Sequence, residues 1–416
     1  MMTDPCLEAD TSMRLRKYRR FSEHADMVYL IALGLYMCTQ VLVMMQHAAN
    51  DPVLLGFLFY INCAAMALCG VSVVLHHLAV RHESKPYLWG ALAIFALSAV
   101  VCVLTRVTWF MCPIILIIAA VNVPYRKILG FIMVGNLVWV LGVAVSAWLR
   151  WIPDDPIIRP SEEGPGRLRY TLGFVSPNHL GQLLVSITLC YYCLYGMRHV
   201  FEYMATAALA VYSYLMINSR AAAVAIAVLI AVALARQSLE SGLYIHKVLP
   251  LTRYMIFLIP IIWLLLSACY QPVGPLKMLN KLSSKRLYFS KMGLDNDGIW
   301  PFGHPLDLVS TTESVRTGTP PYVLDNSYVY IAVQFGAVYF LLILSVYAVL
   351  YAQFMRFRCY RLVEVLLVVL IYAVFENVLL RVNINPLPLM LFASINMRSA
   401  AVKNDSALGQ SGYLLE

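Results

Sequence analysis

Charged side chains are scarce in this chain. Asp, Glu, Lys and Arg make up 13% of its 416 residues, where a soluble domain carries about 25%. The deficit is filled by apolar residues, which reach 61%, with a mean hydropathy of +0.73. A soluble fold of this length has no interior large enough for so much apolar surface, so lipid must act as solvent for most of it. A disulfide framework is missing as well. Most of the ten Cys lie inside apolar runs (Cys38, Cys63, Cys69, Cys102, Cys112, Cys190, Cys193), and only Cys269 approaches a long loop. The pair Cys190 and Cys193 has no Cys or His partner at ligand spacing, so it reads as core filler rather than a zinc site. No metal and no cofactor are expected. A cleavable leader is not apparent, because Met1 to Arg20 is polar and basic and the apolar stretch after it is long enough to span a membrane.

What is present is a series of long apolar runs. A membrane helix needs about 20 apolar residues, and runs near 26–46, 52–76, 87–105, 107–123, 128–149, 173–195, 200–217, 221–235, 251–269, 327–351, 362–380 and 385–396 meet or approach that length. The expected fold is therefore all-α and polytopic, with about 12 transmembrane helices in a single membrane domain over 26–396. A basic N-terminal segment, 1–25, precedes it and a tail, 397–416, follows. Lys and Arg set the orientation. With the N-terminus inside, the short connections on the inner side hold more than half of the 31 Lys and Arg. Both termini then face the cytoplasm, and two long loops, about 150–172 and 270–326, face outward.

The net charge of +9 is not explained by the inner rims. Arginines stand on the outer side or at membrane edges at Arg150, Arg159, Arg167, Arg169, Arg220, Arg286, Arg316 and Arg381. Positive charge there works against the orientation rule. It fits an anionic ligand, diphosphate above all, since guanidinium binds phosphate oxygens through two parallel hydrogen bonds. Salt bridges to Asp154, Asp155, Glu162 and Glu163 are the alternative for the loop arginines. Arg220 sits between two helices joined too tightly to carry it into water, either as a phosphate ligand or as a snorkelling anchor. Ser176-Pro-Asn-His179 opens an apolar helix. Ser176 suits the N-cap and Pro177 the first turn, but Asn178 and His179 are not explained by capping. Asp325 and Asn326 precede a span as an N-cap or as acid/base groups. Glu376 ends an apolar helix close to Arg381, with which it could pair.

At these residues the sequence resembles the O-antigen polymerase and ligase superfamily of bacterial membrane glycosyltransferases. The resemblance covers about residues 170 to 390. It rests on Ser176-Pro-Asn-His179 at a helix start, on Ser219-Arg220-Ala-Ala-Ala, and on Leu282-Ser-Ser-Lys-Arg-Leu287. The last of these is similar to a leucine-serine-glycine-arginine-leucine element, with Ser-Lys where one Gly is expected. Phe302-Gly-His304 and Asp325-Asn-Ser-Tyr328 with downstream Gly336 complete the set. Ligases usually carry His-Asn where Asp325-Asn326 stands, which favours the polymerase branch.

The resemblance implies a metal-independent, inverting transfer. Undecaprenyl-diphosphate-linked oligosaccharide repeat units would be polymerised into a capsule, exopolysaccharide or O-antigen on the outer face of the bacterial cytoplasmic (inner) membrane. It implies Asp325, Glu376 or His304 as the base. It implies Arg220 and Arg286, with Arg167 and Arg169 as weaker additions, on the diphosphate, and Asn178, His179 and Asn326 around the substrate. The partners implied are the lipid-linked oligosaccharide, the bilayer, and a flippase and chain-length regulator of the same pathway; nucleic acid is not among them. A ligase acting on another acceptor, or a lipid-linked oligosaccharide flippase, are the competing expectations.

Overall fold

The computed structural model describes residues 5–45, 51–79, 85–154, 157–159, 167–309, 314 and 318–395, and everything structural below refers to them. The expected tail, 397–416, lies outside the described residues.

Apolar helices dominate. In chain order they are α1 (Pro5–Val43), α2 (Pro52–Ala79), α3 (Lys85–Thr105), α4 (Met111–Ala119), α5 (Tyr125–Trp148), α6 (Pro177–Tyr195), α7 (Val200–Leu215), α8 (Arg220–Ser238), a single turn α9 (Ser241–Leu243), α10 (Thr252–Ala268), α11 (Gly274–Leu282), α12 (Arg286–Asn296), α13 (Ser327–Tyr330), α14 (Gly336–Arg356) and α15 (Tyr360–Tyr372). Helix α10 is preceded by a π-helical turn, Tyr244–Val248, and a 3-10 turn, Leu249–Leu251. A second π-helical turn, Ile331–Phe335, joins α13 to α14.

Among the described residues, seven helical stretches are long and apolar enough to cross a membrane: Phe21–Val43, Val53–Leu78, Tyr87–Thr105, Tyr125–Trp148, Arg220–Ser238, Tyr244–Ala268 and Ser327–Arg356. The protein is thus a multi-pass membrane protein. Val53, Phe57, Tyr60, Trp89, Val103, Val138 and Trp148 point outward from α2, α3 and α5, as expected of helices apolar all round.

The other five expected spans take different forms. Over 107–123 only the nine residues of α4 are helical. Helix α6 is long enough at 19 residues, but its polar first turn and its tyrosines make it less apolar. Helices α7 and α15 are shorter, at 16 and 13 residues. Over 385–396 the only helix is a 3-10 turn, Leu387–Leu391. The expected outer loop 150–172 also holds a small antiparallel hairpin, β1 (Ile157–Arg159) with β2 (Arg167–Arg169), in register Ile158 opposite Leu168.

The bundle has two ends. At the first, Lys127 of α5 donates to Asp26 of α1 at 2.7 Å, and His76 of α2 lies 3.5 Å from the same carboxylate. In a second group at this end, Glu364 of α15 is fully enclosed. It accepts from Arg236 of α8 through both oxygens at 3.1 Å and from Tyr192 of α6 at 2.6 Å. At the second end lie the close of α1, the openings of α6, α8, α12 and α13, and the close of α15.

One segment runs between these ends without forming an α-helix. From Glu376 at the second end it descends to Ser394, which is bonded to Val123 and Tyr125 at the first. Its backbone groups are satisfied by side chains. Asn136 and Ser186 donate to Asn383 O at 2.8 and 3.1 Å, Tyr347 to Leu379 O at 3.1 Å, and Gln353 to Leu391 O at 3.2 Å. Val378 to Val382 and Asn383 to Leu391 are almost entirely buried. Non-helical backbone at this depth is tolerable because protein, not lipid, surrounds it.

Candidate active site

Arg286 is the first residue of α12. The turn ahead of it places Ser284 and Lys285 at φ +57° and +68°, a left-handed backbone costing about 1–2 kcal/mol per non-glycine residue. That turn aims the guanidinium inward. Its Nε donates to Phe375 O at 2.8 Å, Nη1 to Asp325, and Nη2 to Glu376 Oε1 at 3.0 Å. Gln182 of α6 donates to the other oxygen of Glu376 at 2.8 Å. Burial works against the charge on Arg286, but the carboxylates of Asp325 and Glu376 more than offset it, so its pKa is raised. Arg286 and Glu376 are nearly enclosed, with side chains 12% and 5% exposed, whereas Asp325 is 33% exposed. Asp325 is therefore the anion of the three that faces the surroundings.

The residues after Asp325 hold this geometry in place. A helix leaves its last carbonyls without intrahelical donors, and the end of α15 receives donors from α13. Tyr328 donates to Leu370 O at 2.6 Å, Asn326 to Val374 O at 2.7 Å, and Ser327 to Glu376 O at 2.6 Å. Ser327 Oγ in turn accepts from Val378 N at 2.8 Å. Asn326 Oδ1 also accepts from Val329 N at 2.9 Å, which makes Asn326 the N-cap of α13. The cap expected at Asp325 or Asn326 is thus Asn326 alone, and its side chain is committed to structure, not open to a substrate.

Two expected pairings change. Glu376 pairs with Arg286, 90 residues away, instead of Arg381. The chain leaves the helix at Tyr372, so positions 376 and 381 do not share a helical face. Arg286, expected as a diphosphate ligand, has Nε, Nη1 and Nη2 engaged by protein acceptors.

Arg220 opens α8 beside the opening of α6: a Cβ on Gly181 would lie 2.7 Å from Ser219 Oγ. Both helix N-termini therefore lie together, a favourable setting for an anion. Among the described residues the Arg220 side chain has no hydrogen bond or ion pair. On α6, Ser176 caps the helix by accepting from Asn178 N at 3.3 Å, and His179 follows with its Nδ1 enclosed and unbonded.

His304 belongs to a separate cluster. Its ring Nε2 lies 3.3 Å from Asp297 Oδ1, which shares its carboxylate with Tyr322. Burial and the bond to Asp297 raise the Tyr322 pKa. The His304 carbonyl accepts from Gln334 at 3.0 Å, and Gly303 and Gly336 interlock here with φ +74° and +87°. A Cβ on Gly303 would meet Gln334 O at 2.1 Å, so only glycine lets the loop seat there. Arg167 and Arg169 stand in β2, but their side chains lie outside the described residues.

Gln182 and the distribution of Arg286 over three acceptors are not apparent in the sequence reading. Gln182 follows His179 by three residues, so it shares its helix face; that spacing was the available signal.

No family model, curated protein or solved structure matches this chain.

Proposed function

We propose that the chain is a membrane glycosyltransferase that polymerises polyprenyl-diphosphate-linked oligosaccharide units at the second end of the bundle, on the outer face of the bacterial cytoplasmic membrane. The carrying observation is convergence: Gln182, Arg286, Asp325 and Glu376, drawn from four distant parts of the sequence, share one hydrogen-bonded centre. The left-handed turn before Arg286 adds support, because it stands where the resembled element has a glycine.

In this reading Asp325 is the base, as the exposed member of the centre. It takes the proton from the acceptor sugar hydroxyl as that oxygen bonds to the anomeric carbon. The anomeric carbon–oxygen bond to the lipid diphosphate breaks, and the diphosphate leaves with the electron pair. Arg286 positions the two carboxylates instead of binding the leaving group. Arg220, lacking a protein partner at two helix N-termini, is the better placed of the two to meet phosphate. Purified protein given lipid-linked repeat units should yield polymers of several repeats, with Asp325→Asn yielding none. Transfer of single units to a different acceptor would replace the polymerase with a ligase, and absence of any transfer would sink the proposal.

The topology completes the reading. The seven long apolar helices, the less apolar α6, the shorter α4, α7 and α15, and the buried coil 376–395 make twelve passages, with both termini on the cytoplasmic side. A reporter fused after Glu416 should be active only inside, and one inserted near Ser310 only outside; the reverse pattern would put the centre on the wrong face.

A further inference from the structure

By sequence the connection from α10 to α13 is a long outer loop, but in the structure two of its parts are tied to the border of the apolar bundle. The first tie is at α14. This helix carries an exposed stripe at Val338, Leu341, Ser345, Val349, Ala352 and Arg356, spaced three and four residues apart. All but Ser345 and Arg356 are apolar, and Ser345 needs no water because its hydroxyl donates to Leu341 O at 2.8 Å. Such a stripe faces lipid, and the charge of Arg356 marks one border of the hydrocarbon layer. The 21 residues of α14 rise about 30 Å, the thickness of that layer, so its other border lies at the start of the helix. There the amides of Ala337 and Val338 donate to Trp300 O at 2.8 Å and Pro301 O at 3.0 Å. The loop tip, 299–302, is thereby fixed at the hydrocarbon border. Its Ile299, Trp300 and Phe302 are exposed, Trp300 to 57%. The indole N–H of Trp300 already donates to Asp297 O at 3.0 Å, which leaves an apolar ring at the level where membrane proteins concentrate tryptophan.

The second tie is α11, joined to the membrane helix α10 by the short link 269–273. No residue of α11 is buried. Pro275, Met278, Leu279 and Leu282 fall on one side of it, and Lys277 and Lys281 on another. Met278 and Leu282 are 66% and 61% exposed. Asn280 donates to Tyr270 Oη at 2.9 Å, and Lys291 of α12 donates to Ala268 O at 3.3 Å. These bonds hold α11 and α12 against the end of α10. A helix with an open apolar side and lysines beside it has the form that lies in a membrane surface.

We infer that this loop is docked on the bilayer, with the apolar side of α11 and the tip 299–302 resting in the phospholipid headgroup layer. Lipid is the occupant because each patch continues a lipid-facing surface. The tip continues the α14 stripe, and α11 continues the exposed Ile261, Ile262 and Leu265 of α10. Lys277 and Lys281 then reach the lipid phosphates. Arg286 lies between the two docked parts in the chain, so docking holds its centre at the membrane surface. The inference does not rest on the proposed reaction.

The full-length protein in vesicles of phosphatidylcholine and phosphatidylglycerol tests this with a photoreactive benzophenone side chain placed at one position at a time. At Met278 and at Phe302 it should give lipid adducts, read by mass spectrometry, severalfold above those at Asp295, an exposed residue of α12. Leu282 and Ile299 are second positions in the same two patches, to be used if a label at the first impairs folding. Adducts no more abundant than at Asp295, or formed from one patch alone, overturn the docking. Crosslinks between two copies of the chain in place of lipid adducts overturn it as well, and make the patches a self-association surface. The readout involves no transfer reaction, so a protein that never joins repeat units but gives these adducts loses the glycosyltransferase reading and keeps the docked loop.

Discussion

The two ends of the bundle handle buried charge in opposite ways. At the first end each of two carboxylates meets a cation within a group of side chains: Asp26 meets Lys127 with His76 beside it, and Glu364 meets Arg236 and accepts a hydrogen bond from Tyr192. At the second end one cation, Arg286, holds two carboxylates, one of them partly open, while Arg220 and Arg381 have no protein acceptor. A closed group contributes to stability and fixes helix register. An open group with spare donors and a reachable carboxylate is costly to fold and is what a reaction centre requires. The asymmetry is the reason the proposed chemistry is assigned to the second end.

Removing Arg286 should break the comparison most severely. Arg286→Ala leaves two carboxylates facing one another in a largely enclosed place, and losing one partner of a buried pair costs about 3–5 kcal/mol. We expect no detectable product and a large drop in unfolding temperature in detergent. Arg286→Lys should recover part of the stability but little activity, since an ammonium cannot serve three acceptors in a fixed fork. A stable, active Arg286→Ala protein would contradict the central role given to this side chain.

Asp325→Asn should separate activity from stability. The cap of α13 is Asn326, so the change leaves the helix start intact, and the amide can still meet Arg286. Turnover should fall by about 10²–10⁴-fold, the usual contribution of a general base, while the unfolding temperature shifts only slightly. Retained turnover in Asp325→Asn would move the base role to Glu376, to be tested by Glu376→Gln.

At the first end the expected pattern is the reverse. Glu364→Gln should lower stability by roughly 1–3 kcal/mol, reduced from the full value because Arg236 is partly exposed. Activity per folded molecule should stay near wild type. If turnover instead falls as it does in Asp325→Asn, the division of labour between the ends is wrong.

These contrasts show how much could be read in advance. The membrane class and the cap at Ser176 follow from local pattern, which also singles out residues 176–179, 220, 286, 325–328 and 376. A polar group inside an apolar run is conspicuous wherever it stands. What local pattern does not carry is pairing across the fold. The contact between Glu376 and Arg286 depends on how the end of α15 meets the start of α12, and nothing near either residue signals it. Spacing favours the nearer Arg381, but the helix stops at Tyr372 and Glu376 pairs with Arg286. The coil over 376–395 escaped for a related reason. Hydropathy reports apolar length, but it does not distinguish a helix from a strand of chain wrapped in other helices.

The smallest expected effect concerns the turn before Arg286. Lys285→Gly replaces a left-handed non-glycine residue with one that adopts this backbone freely, against a gain in unfolded-chain freedom of about 0.4–1 kcal/mol. The net should be a stabilisation of at most about 1 kcal/mol, read as a small rise in unfolding temperature with Arg286 still in place. A marked fall would mean that the Lys285 side chain, and not the backbone, sets the turn.

The buried coil has a consequence for how the protein is made. A membrane helix carries its own hydrogen bonds and can leave an insertion channel for lipid alone. The chain from Glu376 to Ser394 cannot, because Asn136, Ser186, Tyr347 and Gln353 supply its donors. Its place in the membrane exists only after α5, α6 and α14 have been assembled around it. Synthesis therefore brings the scaffold first and the coil last. Because Glu376 stands at the head of that coil, the hydrogen-bonded group it forms with Arg286 and Gln182 comes into being only in this closing step, and a half-assembled chain lacks it.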